Sequence, residues 1–189
     1  MHLTLTIDET IQQALRGEAS AQRKLFEAFA PQAFRVAMRY CERRADAEDV
    51  VQNTFIRVFN QLKNYKGEKG AFGAWVHRIS VNESLRLLRK RRPVLFVESD
   101  TTTLEEVDTE PLVTDHLAAA DLRALILQLP EGYRAVFNLH AIEGYSHQEI
   151  AEQLDITAAT SRSQLTRAKR TLKNWIKSQH STLRKSQLR

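Results

Sequence analysis

The sequence predicts an all-α protein of two small helical domains joined by an acidic, flexible linker, and three observations carry that prediction. Apolar residues recur at spacings of three and four in every strongly patterned stretch, and no stretch sustains the period-two alternation of a strand. Charge is segregated along the chain: Pro93 to Leu122 holds eight Asp and Glu and no Lys or Arg, whereas Ile156 to the C-terminus holds nine Lys and Arg and no Asp or Glu. Between two helical blocks lies a stretch of low hydrophobicity with Thr101-Thr102-Thr103 and Pro111, the composition of a tether. The expected divisions are an N-terminal domain over 1–92, a linker over 93–114, a C-terminal domain over 115–180 and a basic tail over 181–189.

In chain order, Thr6 to Gln13 reads as a short helix opened by Asp8 and closed by Gly17. A second helix starts near Ala19 with Leu25, Phe26 and Phe29 on its apolar side. Ala30-Pro31 is expected to break it, because proline sets its predecessor against the helical region, and a third helix then carries Phe34, Ala37, Met38 and Cys41. In the helix Asp46–Leu62, steps of 100° put Ala47, Val51, Phe55, Val58 and Leu62 on one arc, facing the core. The opposite arc holds Asp49, Gln52, Asn53 and Ile56. Polar groups framing an aliphatic one fit a protein-binding patch, and a singly exposed isoleucine fits an ordinary surface equally well.

The loop Lys63–Phe72 contains Gly67 and Gly70, with Lys63, Lys66 and Lys69 around Tyr65. An aromatic among lysines suits single-stranded nucleic acid, where the ring stacks on a base and the ammonium groups hold phosphates; a plain polar loop has the same composition. A helix over about Gly73–Arg92 follows, with Trp75, Ile79, Leu85 and Leu88 as core contacts. Arg78, Arg86, Arg89 and Lys90 outweigh its single acid, Glu83, and Asn82 sits in mid-helix despite poor propensity.

Helical periodicity returns at Asp115, breaks at Leu129-Pro130, and resumes from Glu131 to a left-handed cap at Gly144. Ser146 and Glu149 then have the spacing of a capping box, and Ile150, Ala151 and Leu154 share one face. Asp155-Ile156-Thr157 interrupts, and a long helix carries Leu165, Ala168, Leu172, Trp175 and Ile176, with Arg162, Arg167, Lys169, Arg170 and Lys173 elsewhere on its circumference. A short helix, a turn and a long basic helix is the layout of a helix-turn-helix, whose second helix enters the major groove. A solvated basic hairpin is the competing reading, but surface helices normally mix signs to gain i,i+4 pairs, whereas a phosphate-facing helix gains by excluding carboxylates. The tail after His180 is expected to fray.

Composition narrows the function. With 42% hydrophobic and 27% charged residues the chain is that of a soluble globular protein, and no apolar run approaches the roughly 18 residues of a membrane span. The N-terminus shows no basic stretch followed by an apolar one, so no secretory signal and no membrane insertion are expected. The single cysteine, Cys41, excludes an intramolecular disulfide and a cysteine-rich zinc site. A net charge of +5 favours an anionic partner. No phosphate-cradling glycine loop or dinucleotide fingerprint is present, and His2, His77, His116, His140, His147 and His180 have no ligand-spaced partners. No catalytic residue, metal or cofactor is expected.

The order AEDVVQNTFIRVF, YKGEKGAFGAWVHRISVN, a basic helix end, a linker, LPEGYRAVFNLHAIEGYSHQEIAEQL and TSRSQLTRAKRTL resembles the extracytoplasmic-function sigma factors of bacterial RNA polymerase, over roughly Glu18 to Ile176. The resemblance implies a promoter-specificity subunit serving a stress or envelope-signal response in the cytoplasm. Its implied partners are the RNA polymerase core, promoter DNA and an anti-sigma factor. It places Asp49, Gln52, Asn53 and Ile56 where the family grips the polymerase clamp, and the loop around Tyr65 to Phe72 where it captures a base flipped from the downstream element. Lys63, Lys66 and Lys69 belong to that loop. Asn82 matches a contact to the same element, with Arg78, Arg86, Arg89 and Lys90 following the strand phosphates. Arg162, Ser163, Thr166 and Arg167, with Arg170 on the same helix, match the reading of the upstream element. The linker resembles a segment that threads toward the RNA exit path. Asp155 stands where the turn usually has glycine, but aspartate tolerates a left-handed turn better than most residues, so the fold is expected to hold. Ser161 stands where an aliphatic residue usually packs, so a tilted or re-specified recognition helix is expected. The rival reading is a stand-alone helix-turn-helix regulator that binds a palindrome as a dimer.

Overall fold

The computed structural model describes residues 6–67, 71–91 and 119–186, and every secondary-structure element among the described residues is a helix. The acidic linker over 93–114, Lys69 and the expected helix start at Asp115 lie outside them. The chain divides into two compact units, Met1–Leu87 and Leu88–Arg189.

In the first unit, α1 (Ile7–Leu15) is opened by Thr6 rather than Asp8: the Thr6 hydroxyl accepts from the Glu9 amide at 3.2 Å while the Glu9 carboxylate accepts from the Thr6 amide at 2.8 Å. That reciprocal box satisfies two orphan donors, which Asp8 inside the first turn cannot do. Gly17, at φ +85°, closes the turn that follows. The expected break at Pro31 does not occur; α2 runs unbroken from Ala19 to Tyr40. Proline in a helix interior costs about 3 kcal/mol, and burying one large apolar side chain returns roughly 1.5–3 kcal/mol. Leu25 on one side of Pro31 and Val36 and Tyr40 on the other are all buried, so packing of both halves outweighs one lost hydrogen bond.

α3 spans Arg44–Gln61, with a short 3-10 turn over Leu62–Asn64. Arg43 grips Asp46 in its first turn through two contacts of 3.0 and 3.1 Å. All five residues of the expected core arc, Ala47, Val51, Phe55, Val58 and Leu62, are buried. α4 (Ala71–Arg91) contributes Phe72, Val76 and Ile79 to the same core, which also takes Ile11 of α1 and Leu25 of α2. Ser80 and Ser84 are fully buried, and each hydroxyl donates to the carbonyl one turn back, at 2.8 Å, so neither needs a partner from another helix.

The second unit comprises α5 (Ala119–Gln128), α6 (Glu131–Phe137), a π turn over Asn138–Ile142, α7 (His147–Leu154) and α8 (Ala158–Ser186). The break at Leu129-Pro130 is present, and Arg134 secures it: its buried guanidinium donates to the carbonyls of Leu127 and Leu129, which the end of α5 leaves unpaired. Ser146 and Glu149 form the expected capping box on α7, and Gly144 has φ +78°. α8 packs Leu165, Ala168, Leu172 and Ile176 against α5, α6 and α7. Its backbone continues through 181–186, where fraying was expected, because no glycine or proline follows Gly144. No helix among the described residues is long and apolar enough to cross a membrane.

Leu172 is fully buried on the face of α8 that meets the other helices. Leu172→Ala is expected to destabilise the second unit by about 2–5 kcal/mol, the range for a leucine cavity, in urea denaturation. A loss below about 1 kcal/mol would contradict this packing.

Candidate nucleic-acid interface

α3 presents two opposed faces. Burial of its core arc turns Asp49, Gln52, Asn53 and Ile56 outward, and Ile56 is 60% exposed. The Asn53 amide donates to the Asp49 carbonyl at 2.8 Å, which lays that side chain along the helix. Phe55 points inward, edge-on to Phe26 at 4.8 Å. The arc is therefore a polar surface centred on one large aliphatic group.

Where α3 ends, the chain forms an open cleft of about 390 Å³ lined by Asn64, Tyr65, Lys66, Gly67, Ala74, Trp75 and Arg78. Tyr65 forms one wall, half-buried against Trp75 at 5.4 Å and Phe72 at 5.2 Å, with Phe29 behind Phe72 at 5.0 Å. Packed rings hold the wall rigid, so an incoming planar group meets a preformed surface. Lys63, Lys66 and Arg78 are exposed around it. Further along α4, Asn82, Arg86, Arg89 and Lys90 are exposed. Glu83 is not: both its oxygens meet arginines, Arg57 of α3 and Arg86, each at 2.8 Å. Sequence reading had no place for Arg57; the one signal available was a lone acid in a basic helix.

In the second unit, α7 and α8 meet through the turn at Asp155, which adopts φ 56°, ψ 50°. Aspartate tolerates this left-handed conformation better than most residues, so the turn forms without glycine. Thr157 opens α8, its hydroxyl accepting from the Thr160 amide at 3.0 Å. Arg162 and Arg170 are exposed; Ser163, Thr166 and Arg167 are partly so. Ser163 and Thr166 donate to the carbonyls of Thr160 and Arg162, which leaves their oxygens able to accept. The Arg167 guanidinium reaches the Tyr133 hydroxyl at 3.5 Å.

Ser161 faces inward and is fully buried, as an aliphatic residue there would be. Its hydroxyl is satisfied by His147 Nδ1 at 2.9 Å, so a polar contact between α7 and α8 stands where an apolar one was expected. The structure also brings together two histidines that sequence reading left scattered. The His140 ring lies parallel to that of His147, 11° between planes and 4.5 Å between centroids. The π turn makes the stack possible by widening the backbone at His140. His140 Nδ1 lies 2.9 Å from the Tyr145 carbonyl, which can only accept, so Nδ1 carries the proton. Burial holds His147 below the usual histidine range, helped by the charges of His140, Arg162 and Lys169.

Residues 25–94 match the family Sigma-70 region 2 and residues 119–172 match Sigma-70, region 4. The chain belongs to the sigma-70 family, whose members are transcription initiation factors rather than enzymes. Within it the chain is an extracytoplasmic-function sigma factor. It is 34% identical over 157 residues to the ECF RNA polymerase sigma factor SigE of Mycolicibacterium smegmatis, spanning 81% of this chain and 60% of that longer one. The ECF RNA polymerase sigma-E factor of Haemophilus influenzae is 28% identical over 186 residues, spanning 91% of this chain and 96% of the other. Among solved structures, the sigma factor RpoE of Bartonella quintana, crystallised with the anti-sigma factor NepR, shares the fold with a TM-score of 0.50 at 24% identity, covering 82% of this chain and 96% of that one.

His147 gives the second unit a pH dependence of definite sign. A base whose folded pKa lies below its unfolded value near 6.5 takes up protons on unfolding as pH falls, so stability is full above pH 6.5 and declines below it. Urea denaturation at pH 7.5 and 5.5 should show this decline in the native chain and a smaller one in His147→Gln. Equal declines would remove His147 as the cause.

Proposed function

We propose that this sigma factor directs bacterial RNA polymerase to promoters by holding one promoter at two places while a third surface docks on the enzyme. Residues 1–92 serve polymerase binding and the downstream element, 93–114 act as a tether, and 115–180 read the upstream element. Asp49, Gln52, Asn53 and Ile56 bind the polymerase core. Tyr65 and the cleft beside it take an unstacked base, Asn82 contacts the same element, and Lys63, Lys66, Lys69, Arg78, Arg86, Arg89 and Lys90 follow the strand. Arg162, Ser163, Thr166, Arg167 and Arg170 read duplex DNA. The observation that carries this reading is the cleft of about 390 Å³: an aromatic wall ringed by Lys66 and Arg78 suits a base with its phosphates, and a duplex-only regulator has no use for it.

Phosphate contacts supply affinity and register, and base contacts supply selectivity. Unstacking a base costs a few kcal/mol, which is why the downstream contact forms only with polymerase holding the DNA. The factor acts in the cytoplasm, in a stress or envelope-signal response, and an anti-sigma factor covers these surfaces when the signal is absent; the RpoE–NepR complex supports that partner.

Added to core polymerase, the chain should yield promoter-dependent initiation from a genomic library. Initiation from no promoter, with dimeric binding to a palindrome instead, would establish the stand-alone regulator. Asp49→Ala with Gln52→Ala should weaken polymerase binding about tenfold, roughly 1.4 kcal/mol, while upstream duplex binding by the full chain is unchanged. Equal loss in both assays would contradict the division of labour.

A further inference from the structure

Glu83 is the only acid in α4, and its carboxylate is shared by two guanidiniums. Arg86 Nε donates to Oε2 at 2.8 Å from one turn along the helix. Arg57 Nε stands 2.8 Å from Oε1, reaching over from α3, as an ion pair out of hydrogen-bond alignment. Arg57 is thus the less firmly committed of the two. The carboxylate is 2% exposed, whereas the arginine side chains are 45% and 54% exposed.

Two cations on one buried carboxylate leave a positive charge uncompensated. Both arginines use the Nε edge, so their terminal nitrogens remain for a second anion, and a guanidinium's planar fork matches the oxygens of a phosphate. The choice of anion follows from the surroundings. Asn82, Arg86, Arg89 and Lys90 fall at helical spacing on one side of α4, which carries no exposed acid.

We propose that Arg57 is a phosphate-binding residue, and that Glu83 is a positioning residue holding Arg57 and Arg86 as a pair for one phosphodiester of the promoter strand. This rests on the promoter reading above. The device costs less than two free arginines would, because the side chains are ordered before DNA arrives.

The test is equilibrium binding of reconstituted holoenzyme to a promoter fork with a single-stranded downstream element, measured against salt. Arg57→Ala should lower the magnitude of the log–log salt slope by about 0.7, the value for one phosphate on a single strand. Arg86→Ala should do the same. Because the pair shares one phosphodiester, the double substitution should lower the slope no further than either alone, and Arg57→Lys should restore it. Glu83→Gln should free the two side chains to meet phosphates anywhere, narrowing the ratio of promoter to non-promoter affinity severalfold. An Arg57→Ala protein that melts earlier at an unchanged slope would make Arg57 structural and overturn the proposal. Lost affinity for core polymerase at an unchanged slope would assign Arg57 to a carboxylate of the enzyme, and overturn it equally. Native holoenzyme with no promoter preference would instead bring down the underlying promoter reading.

Discussion

Burial of one stripe of α3 is the constraint on which the first unit depends. Once Ala47, Val51, Phe55, Val58 and Leu62 enter the core, helix geometry leaves no choice about the rest of that helix. Asp49, Gln52, Asn53 and Ile56 must face away from it, and Arg57 must leave the helix between the two faces, where Glu83 receives it. The same packing sets Tyr65, just past the end of α3, against Trp75 of α4, and this pair forms the cleft wall. The outward arc of α3 and the cleft beside Tyr65 are thereby fixed in mutual position by hydrophobic contacts within the first unit.

The second unit solves a similar problem with polar chemistry. Arg134 takes up the loose carbonyls of α5 from inside the core, and Ser161 meets His147 rather than an aliphatic neighbour. Such contacts fix direction more narrowly than apolar ones, because a buried hydroxyl that loses its acceptor or donor costs about 1–3 kcal/mol. They also connect the seat of α8 to a group that titrates.

Much of this was legible in the sequence, and what was not had identifiable causes. The core arc of α3, the capping box at Ser146 and the left-handed closure at Gly144 are set by neighbours within four residues, and local spacing reveals them. Pro31 is misleading in the sequence because local propensity carries no sign of the burial on both sides that overrides it. The cap at Thr6 was displaced by two residues, a common fate of helix starts. The histidine stack and the Arg57–Glu83 pair were out of reach: one needs a π turn to bring its members face to face, and the other joins helices whose register only the tertiary packing decides.

Cys41 has a consequence of a different kind. It is the chain's one thiol, it lies buried just past the end of α2, and it packs with Ala37, Ala47 and Val50. A sulfhydryl reagent can reach it only when that corner of the first unit opens, so the rate of alkylation is a clock for local opening. The molecule thus carries its own reporter of how often the first unit breathes, and any partner that clamps this unit should slow the clock.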